Sequence, residues 1–310
     1  MRIVIAGGTG FLGAPLADAL AADRFDVVVL SRGDKPPTSA GVRARRWDPD
    51  GTAGPWSDVV DGADAVVNLA GESIAARRWT AAHKKRVLES RLQATRSLVE
   101  AIARAASPPP VLVSGSAVGY YGPCGDEVVT ETAPPGSDFL ARVCVQWEQE
   151  AMRARERTSA RTRVVLVRTG LVLERDGGAL PQMLLPFKLG AGGPLGSGRQ
   201  YWPWIHRTDW IAMVRWAIAT SRVSGPVNVT APMPVTNAVF SRALGRAMHR
   251  PAFLPAPGFA LRLALGEMAD ALLLSGQRAV PAAAEREGFA FRYERVDDAL
   301  GAIFNKSTPI

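Results

Sequence analysis

Three glycines near the beginning of the chain have the spacing of a phosphate-binding turn. Gly7, Gly10 and Gly13 recur every third residue, between an apolar run from Arg2 to Ala6 and a helical pattern that begins at Phe11. The apolar run is typical of a strand that is buried on both faces of a parallel sheet. Between a strand and a helix, such glycines allow a tight turn and close approach of the backbone to a pyrophosphate. The sequence therefore predicts a dinucleotide site at the N-terminus of the first helix, with a plain glycine turn as the alternative.

The end of the second predicted strand indicates which dinucleotide binds. This strand, Asp26 to Leu30, is followed by Ser31 and Arg32. Enzymes that select NAD usually place Asp or Glu here, where the carboxylate binds the ribose hydroxyls. An arginine suits a 2′-phosphate instead, so the predicted cofactor is NADP(H). The alternative is a solvated arginine that binds no ligand.

The elements that must position these residues alternate between strands and helices. Further strands are predicted at 42–47, 64–69, 111–113 and 163–168, and long helices at 80–106 and 137–155. Strands that alternate with helices form a parallel sheet with helices on both faces. The predicted fold class is α/β, a Rossmann-type doubly wound parallel sheet with a smaller, helix-rich C-terminal region on the substrate side.

Glycine and proline content divides the predicted fold further. A segment rich in both residues begins at 176, and a Pro-rich stretch opens the C-terminal region at 251. The predicted divisions are a dinucleotide-binding domain (1–175), a substrate-side segment (176–204), a return to the sheet (205–232) and a small C-terminal cap domain (233–310).

The glycine turn, which reads GGTGFLG, resembles the short-chain dehydrogenase/reductase superfamily, and in particular its extended, epimerase/dehydratase-type branch. The segment from Asn68 to Gly71 resembles the superfamily's Asn-Ala-Gly motif, which lines the cofactor. In the related enzymes the position of Asp48 lies near the adenine. Taken together, the predicted cofactor-binding residues are Gly7, Thr9, Gly10, Phe11, Leu12, Gly13, Ser31, Arg32, Asp48, Leu69, Ala70, Gly71 and Ser114.

The resemblance also implies a serine on the substrate side. In the extended branch, the fifth strand ends in a serine-rich turn, and one serine holds the substrate's hydroxyl or carbonyl. Ser116 matches this position best, with Ser114 as its neighbour. The alternative is that both serines only cap the turn.

The acid–base pair of the superfamily is missing. Ordinary members carry Tyr-x-x-x-Lys on the next helix, where the tyrosine exchanges protons and the lysine lowers its pKa. Leu140 and Cys144 occupy these two positions. Leucine has no proton to exchange, and cysteine supplies no fixed positive charge. The candidate proton carriers in their place are Tyr120, Tyr121, Glu72 and His206. Tyr121 has the best claim because it follows Ser116, and these two are the predicted catalytic residues.

Four residues are predicted on the substrate side of the site. Glu72 follows the Asn68–Gly71 motif, and Arg91 stands where related enzymes often carry an active-site asparagine, one turn before a threonine. Trp204 and His206 belong to a segment that resembles the strand by which the extended branch returns to its core. A simple loop role for Glu72 and a packed core imidazole at His206 are the alternatives.

The resemblance extends over nearly the whole chain. The segments SAVGYYG, FLARVCVQWE, RTGLVL and WPWIH are similar to an atypical group called epimerase-family or YfcH-like proteins. This resemblance implies an extended core, bound NADP and a small C-terminal domain of unknown function, with no generally established substrate.

Composition limits the other possibilities. The net charge of +8 invites a nucleic-acid interpretation, but the basic residues are scattered and follow no recognised motif, so we expect no nucleic-acid partner. The most apolar late segment, 259–274, is interrupted by charges, and we expect no membrane span. Two cysteines and three histidines predict no disulfide framework and no metal site, which fits the cytoplasm. A homodimer through the two long helices is also an expectation.

Two functions follow from these residues. One is an NADP-dependent oxidoreductase or nucleotide-sugar-epimerase-like protein that acts on a small polar substrate. The other is a non-catalytic NADP(H)-binding sensor or partner-binding protein, which the residues Leu140 and Cys144 favour.

Overall fold

The computed structural model describes residues 1–33 and 41–305. Its strands are β1 (Arg2–Ala6), β2 (Asp26–Ser31), β3 (Val42–Arg46), β4 (Ala65–Asn68), β5 (Val111–Ala117), β6 (Val128–Val129), β7 (Arg163–Thr169), β8 (Leu171–Leu173), β9 (Tyr201–Trp202), β10 (Trp204–His206), β11 (Gly225–Val229), β12 (Val235–Thr236) and β13 (Arg278–Ala279). Its α-helices are α1 (Gly13–Ala22), α2 (Ala81–Arg104), α3 (Phe139–Arg157), α4 (Leu180–Lys188), α5 (Arg207–Ala219), α6 (Asn237–Met248), α7 (Gly258–Leu265), α8 (Glu267–Ala269), α9 (Ala282–Arg286) and α10 (Val296–Phe304). Single turns of 3₁₀ helix cover Pro55–Val59 and Val118–Tyr121, and a π-helical turn covers Asp270–Leu274.

The main sheet has seven strands in the order β11-β7-β5-β4-β1-β2-β3, and its neighbouring strands are all parallel. The strand order reverses at β1, because β2 and β3 lie on one side of it and β4 on the other. In open α/β sheets, ligands bind at such a switch point, outside the carboxyl ends of the strands. We call this edge of the sheet, with the loops that follow its strands, the cleft. The predicted Rossmann-type fold class is confirmed.

The two faces of β1 belong to two different cores. Ile3 and Ile5 pack in one cluster with α1 and α5, whereas Val4 and Ala6 pack in the other with α2 and α3. A strand covered on both sides needs apolar residues at every position, which explains the unbroken run in the sequence. A third cluster joins α4, α6 and α10 and forms the core of the helix-rich C-terminal region.

The fifth strand is longer than the sequence suggests. The sequence predicts this strand at 111–113, but β5 continues to Ala117. Its parallel ladder with β7 extends from the pair Val111–Arg163 to the pair Ala117–Thr169. The two serines of the predicted turn, Ser114 and Ser116, therefore lie within the strand. A ladder with a neighbouring strand overrides the weak strand propensity of small polar residues.

The helix α5 is capped by His206. It begins at Arg207, and the His206 side chain accepts a hydrogen bond from the Thr208 amide, while Asp209 lies in the first turn. Asp209 accepts the amides of Arg292 and Tyr293 at 3.0 and 2.9 Å. Burial raises the pKa of this carboxyl group. Asp209 thus fastens the segment before α10 to α5.

Within the described ranges, we find no helix with both the length and the apolar content that a membrane crossing requires.

Candidate functional site

The glycine turn fits tightly between β1 and the end of β4. Gly7 has φ +78°, and a Cβ atom there would lie 2.7 Å from the carbonyl group of Leu69. At Gly13, a Cβ would lie 2.2 Å from the Gly7 oxygen. The amide of Gly10 donates to the Gly7 carbonyl at 3.1 Å and closes the turn. Side chains are therefore excluded exactly where α1 begins, and amides at a helix N-terminus have no carbonyl partner within the helix. This geometry fits a dinucleotide pyrophosphate.

The segment after β8 packs on the glycine turn. The ring of Phe11 fills the space beside Gly177 and Gly178, where Cβ atoms would lie 2.5 and 2.8 Å from it. The Arg207 guanidinium stands 5.3 Å from the centre of the same ring and is held by Asp176 at 2.8 Å. The sequence did not indicate this contact, because the two segments are more than 160 residues apart and only the paired glycines hint at a close approach.

Two arginine side chains, Arg32 and Arg46, lie at the carboxyl ends of β2 and β3. Arg32 is exposed beside Ser31, whose hydroxyl accepts the Gly33 amide at 3.2 Å. The parallel register places Arg46 directly opposite Ser31. Asp48 follows on the same edge and is exposed. Arg46 therefore lies beside Arg32, the one arginine predicted here. The Arg-Ala-Arg-Arg run of β3 was the sequence feature that could have indicated a second basic residue at this edge.

The end of β4 is held by a buried hydrogen-bond network. The side-chain amide of Asn68 donates to the Thr95 hydroxyl at 2.9 Å. The indole N–H of Trp147 donates to the same oxygen, also at 2.9 Å. The Asn68 side-chain oxygen accepts the Ala70 amide at 3.2 Å. Trp147 also packs against Gly115, where a Cβ would lie 2.8 Å from the ring. The network joins β4, β5, α2 and α3 at the floor of the cleft.

Two residues predicted on the substrate side meet at the loop after β4. Arg91 lies against Gly71 and donates to the backbone carbonyl of Glu72 at 2.9 Å. The backbone amide of Glu72 donates to the Ser90 hydroxyl at 2.9 Å, and this bond holds the loop in place. The structure therefore brings Glu72 and Arg91 together at the cleft.

Ser116 faces a buried ion pair. Its hydroxyl donates to Oε1 of Glu148 at 2.6 Å, and Glu148 binds Arg168 through two hydrogen bonds of 2.8 Å. Both charged side chains are more than nine-tenths buried. The neighbouring Ser114 is fully buried and makes only a 3.5 Å contact to the Gly115 carbonyl. The sequence missed the pair, which joins α3 to β7.

Tyr121 is locked into the same buried network. Its hydroxyl donates to the Asn228 side chain at 2.6 Å and accepts from Arg168 at 3.0 Å. Burial raises the pKa of Tyr121 to about 12, and the side chain is 3% exposed. The Arg168 guanidinium also covers the ring of Tyr120, 3.5 Å from its centre. This placement gives Tyr121 no free proton and no exposed face for the catalytic role that the sequence suggested.

The two positions that the resemblance assigns to the acid–base pair are occupied by Leu140 and Cys144. Leu140 is half-buried and lies against Gly119. The thiol of Cys144 is buried and contacts the Ala117 carbonyl at 3.7 Å. Burial raises the pKa of Cys144 to about 11, so the thiol is neutral at physiological pH.

Trp204 and His206 lie in the core, not on the wall of the cleft as the sequence suggested. Trp204 is fully buried and donates to the Met233 carbonyl at 3.1 Å. His206 is 2% exposed, and its ring stacks on Tyr293 at a centre distance of 4.2 Å. Both residues are thus packed structural groups, and for His206 this is the core-imidazole alternative that the sequence left open.

Known proteins resemble this chain along nearly its whole length. The model of the NAD dependent epimerase/dehydratase family matches residues 3–230, and that of a domain of unknown function, DUF1731, matches residues 256–303. Epimerase family protein Mb2239 of Mycobacterium bovis is 44% identical over 300 residues, which cover 96% of each chain. Epimerase family protein SDR39U1 of Bos taurus is 41% identical and covers 98% of this chain and 99% of its own. The crystal structure of human epimerase family protein SDR39U1 (isoform 2) with NADPH has a TM-score of 0.89 and 36% identity, and the match covers 99% of this chain and 100% of that one.

Proposed function

This chain belongs to the NAD dependent epimerase/dehydratase family, and on that basis we propose that it is an NADP(H)-binding oxidoreductase or epimerase-like protein that acts on a small polar substrate. The observation that carries the proposal is the glycine turn at the switch point of the sheet, where the close packing of the backbone leaves no room for a Cβ atom at Gly7 or Gly13. The NADPH bound by the human relative supports the choice of cofactor. When bound, NADP(H) supplies or accepts a hydride.

The proposed cofactor residues divide into three groups along the cleft. The turn from Gly7 to Gly13 and the N-terminus of α1 hold the pyrophosphate, because the backbone approaches closely there. Arg32, with Arg46 beside it, takes the 2′-phosphate as a charge-assisted pair. The Leu69–Gly71 segment lines the space between the two.

Ser116 favours an alcohol as the substrate group. Its proton is committed to Glu148, at a distance typical of a hydrogen bond to a charged acceptor. The oxygen of Ser116, which is 5% exposed and lies beside the Cys144 thiol, then has only its lone pairs to offer a ligand. A substrate hydroxyl donates to such an oxygen, whereas a carbonyl does not, and Ser116 therefore orients an alcohol in the proposed site.

A second candidate function is favoured by the residues at positions 140 and 144. Leu140 has no proton to exchange, and Cys144 is neutral and buried. With Tyr121 also engaged, these residues support a non-catalytic NADP(H)-binding sensor or partner-binding protein. We keep the cytoplasm as the proposed compartment, since both cysteines are free thiols. The homodimer stays a prediction.

Calorimetric titration with NADPH and NADH tests the cofactor assignment. We expect the wild type to bind NADPH more tightly than NADH, because only NADPH carries the phosphate that pairs with Arg32. Arg32→Asp should weaken NADPH binding about tenfold or more, the cost of a lost charge-assisted contact. Arg43→Gln is the control, since this arginine is bound to Asp26 at the opposite end of the strands.

Failure to bind either nucleotide would remove both candidate functions. If NADPH binds, absorbance is used to follow NADPH oxidation by small ketones and aldehydes and NADP⁺ reduction by the corresponding alcohols. Epimerisation of nucleotide sugars leaves no net change in the cofactor and is followed by chromatography of the sugars. Turnover of any of them supports the oxidoreductase or epimerase-like function. Tight binding without turnover supports the sensor.

A further inference from the structure

Arg91 is fixed at the floor of the cleft by contacts that leave part of its guanidinium unused. Nη1 donates to the backbone carbonyls of Glu72 and Val87, both at 2.9 Å. The group lies 5.1 Å from the ring centre of Trp147, which stacks beneath it. A Cβ at Gly71 would lie 3.1 Å from Cγ of Arg91, so the loop passes directly over the side chain. The guanidinium cannot swing out into solvent without displacing this loop.

The charge of Arg91 is not balanced by an ion pair. Two carbonyls use both hydrogens of Nη1, while Nε and Nη2 find no acceptor, and no carboxylate forms an ion pair with Arg91, within the described ranges 1–33 and 41–305. Burial lowers the pKa of Arg91, and the nearby Glu72 carboxylate offsets this only in part. By contrast, the charge of Arg168, which is 3% exposed whereas Arg91 is half-buried, is balanced by Glu148 through two hydrogen bonds. An uncompensated buried charge costs several kcal/mol, so a stable fold gains when an anion reaches it.

Arg91 lies beside the position where the family's lysine is missing. The helices α2 and α3 run side by side in the same direction, because Thr95 meets Trp147 and Arg96 meets Glu150. One turn before these contacts, Arg91 stands next to Cys144, and its charge acts on that thiol. A cation on α2 therefore lies beside the α3 position that the resemblance assigns to the lysine.

Taking the proposed function as given, we propose that Arg91 is the fixed positive charge of the cleft, and that its unused N–H groups bind an anionic oxygen of the ligand in the nicotinamide half. Two sources supply such an oxygen: the phosphate of the cofactor's nicotinamide half and a carboxylate or phosphate of the substrate. A bound anion satisfies Nε and Nη2 together, in the fork geometry for which guanidinium is suited.

Calorimetry with cofactor fragments separates the two sources. The proteins are the wild type, Arg91→Gln, Arg91→Lys and the control Arg96→Gln, which removes an arginine of the same helix that is already paired with Glu150. The ligands are NADPH and 2′,5′-ADP, which lacks the nicotinamide half. Malonate is then titrated into the NADPH complex as a probe for a substrate anion. Circular dichroism and the melting temperature confirm that each variant is folded.

If Arg91 binds the cofactor, Arg91→Gln weakens NADPH about tenfold or more and leaves 2′,5′-ADP unchanged. If it binds the substrate, both nucleotides bind as before, and malonate binding to the NADPH complex is lost. A folded Arg91→Gln that matches the wild type with all three ligands would overturn the inference. If Arg91→Gln does not fold, Arg91→Lys is the deciding variant. Because the lysine reaches less far and lacks the guanidinium fork, it should weaken the binding of NADPH or of malonate. Unchanged affinity for both ligands would overturn the inference. A wild type that binds no NADPH refutes the proposed function instead.

Discussion

At the nucleotide end of the cleft, the proposed ligand surface consists of the backbone of the Gly7–Gly13 turn and of exposed arginines at the ends of β2 and β3. At the acid–base end, formed by β5, α2 and α3, buried side chains bind one another instead. There, Ser116, Glu148, Arg168 and Tyr121 form one connected network.

The two ends differ in which residues can be replaced without loss of their structure. A backbone site depends on the absence of side chains, so its glycines have no substitute. A side-chain site can be rearranged when its polar groups find partners in one another, as Glu148 and Arg168 do in this structure. On the hypothesis that Leu140 and Cys144 occupy the positions of the superfamily's tyrosine and lysine, the acid–base end is the part that departs from the pattern, while the glycine turn keeps it.

The largest effect on stability should come from breaking the buried pair of the acid–base end. Glu148→Gln leaves Arg168 without its carboxylate and should lower the free energy of unfolding by about 3–5 kcal/mol, measured by urea denaturation. Glu89→Gln is the control, because its exposed pair with Lys85 contributes at most about 0.5 kcal/mol. A loss for Glu148→Gln as small as that of the control would show that the network is not what holds this end together.

A smaller stability effect, but a direct loss of binding, is expected from the nucleotide end. Gly13→Ala places a Cβ 2.2 Å from the Gly7 oxygen, and overpacking of this kind costs about 1–3 kcal/mol. Displacing the turn should also weaken NADPH binding in calorimetry. Gly301→Ala in α10 serves as the control, since the nearest atom to a Cβ there is 3.9 Å away, an ordinary van der Waals distance. Equal NADPH affinity in the two variants would contradict a site built on close backbone approach.

The nucleotide end was readable from the sequence because its signals are local. The strand, the turn and Arg32 lie within the first 32 residues, and the apolar run and glycine spacing each report a backbone requirement. Even there, the sequence did not reveal Arg46, because only the pairing register between β2 and β3 brings it beside Ser31.

The acid–base end was not readable because its partners are distant in sequence. Glu148 and Arg168 are 20 residues apart on a helix and a strand, and Tyr121 meets Asn228 across 107 residues. Local patterns locate each residue on its element without showing which polar groups pair. Tyr121 and His206 therefore looked available in the sequence, although the fold uses both as buried structural groups.

A crystal structure of the chain grown with NADPH tests the contrast between the two ends most directly. We expect the pyrophosphate on the Gly7–Gly13 turn, the 2′-phosphate beside Arg32, and the Glu148–Arg168 pair unchanged from its present 2.8 Å contacts. NADPH bound away from the glycine turn, or a network that opens to release Tyr121 toward the nicotinamide, would contradict the account.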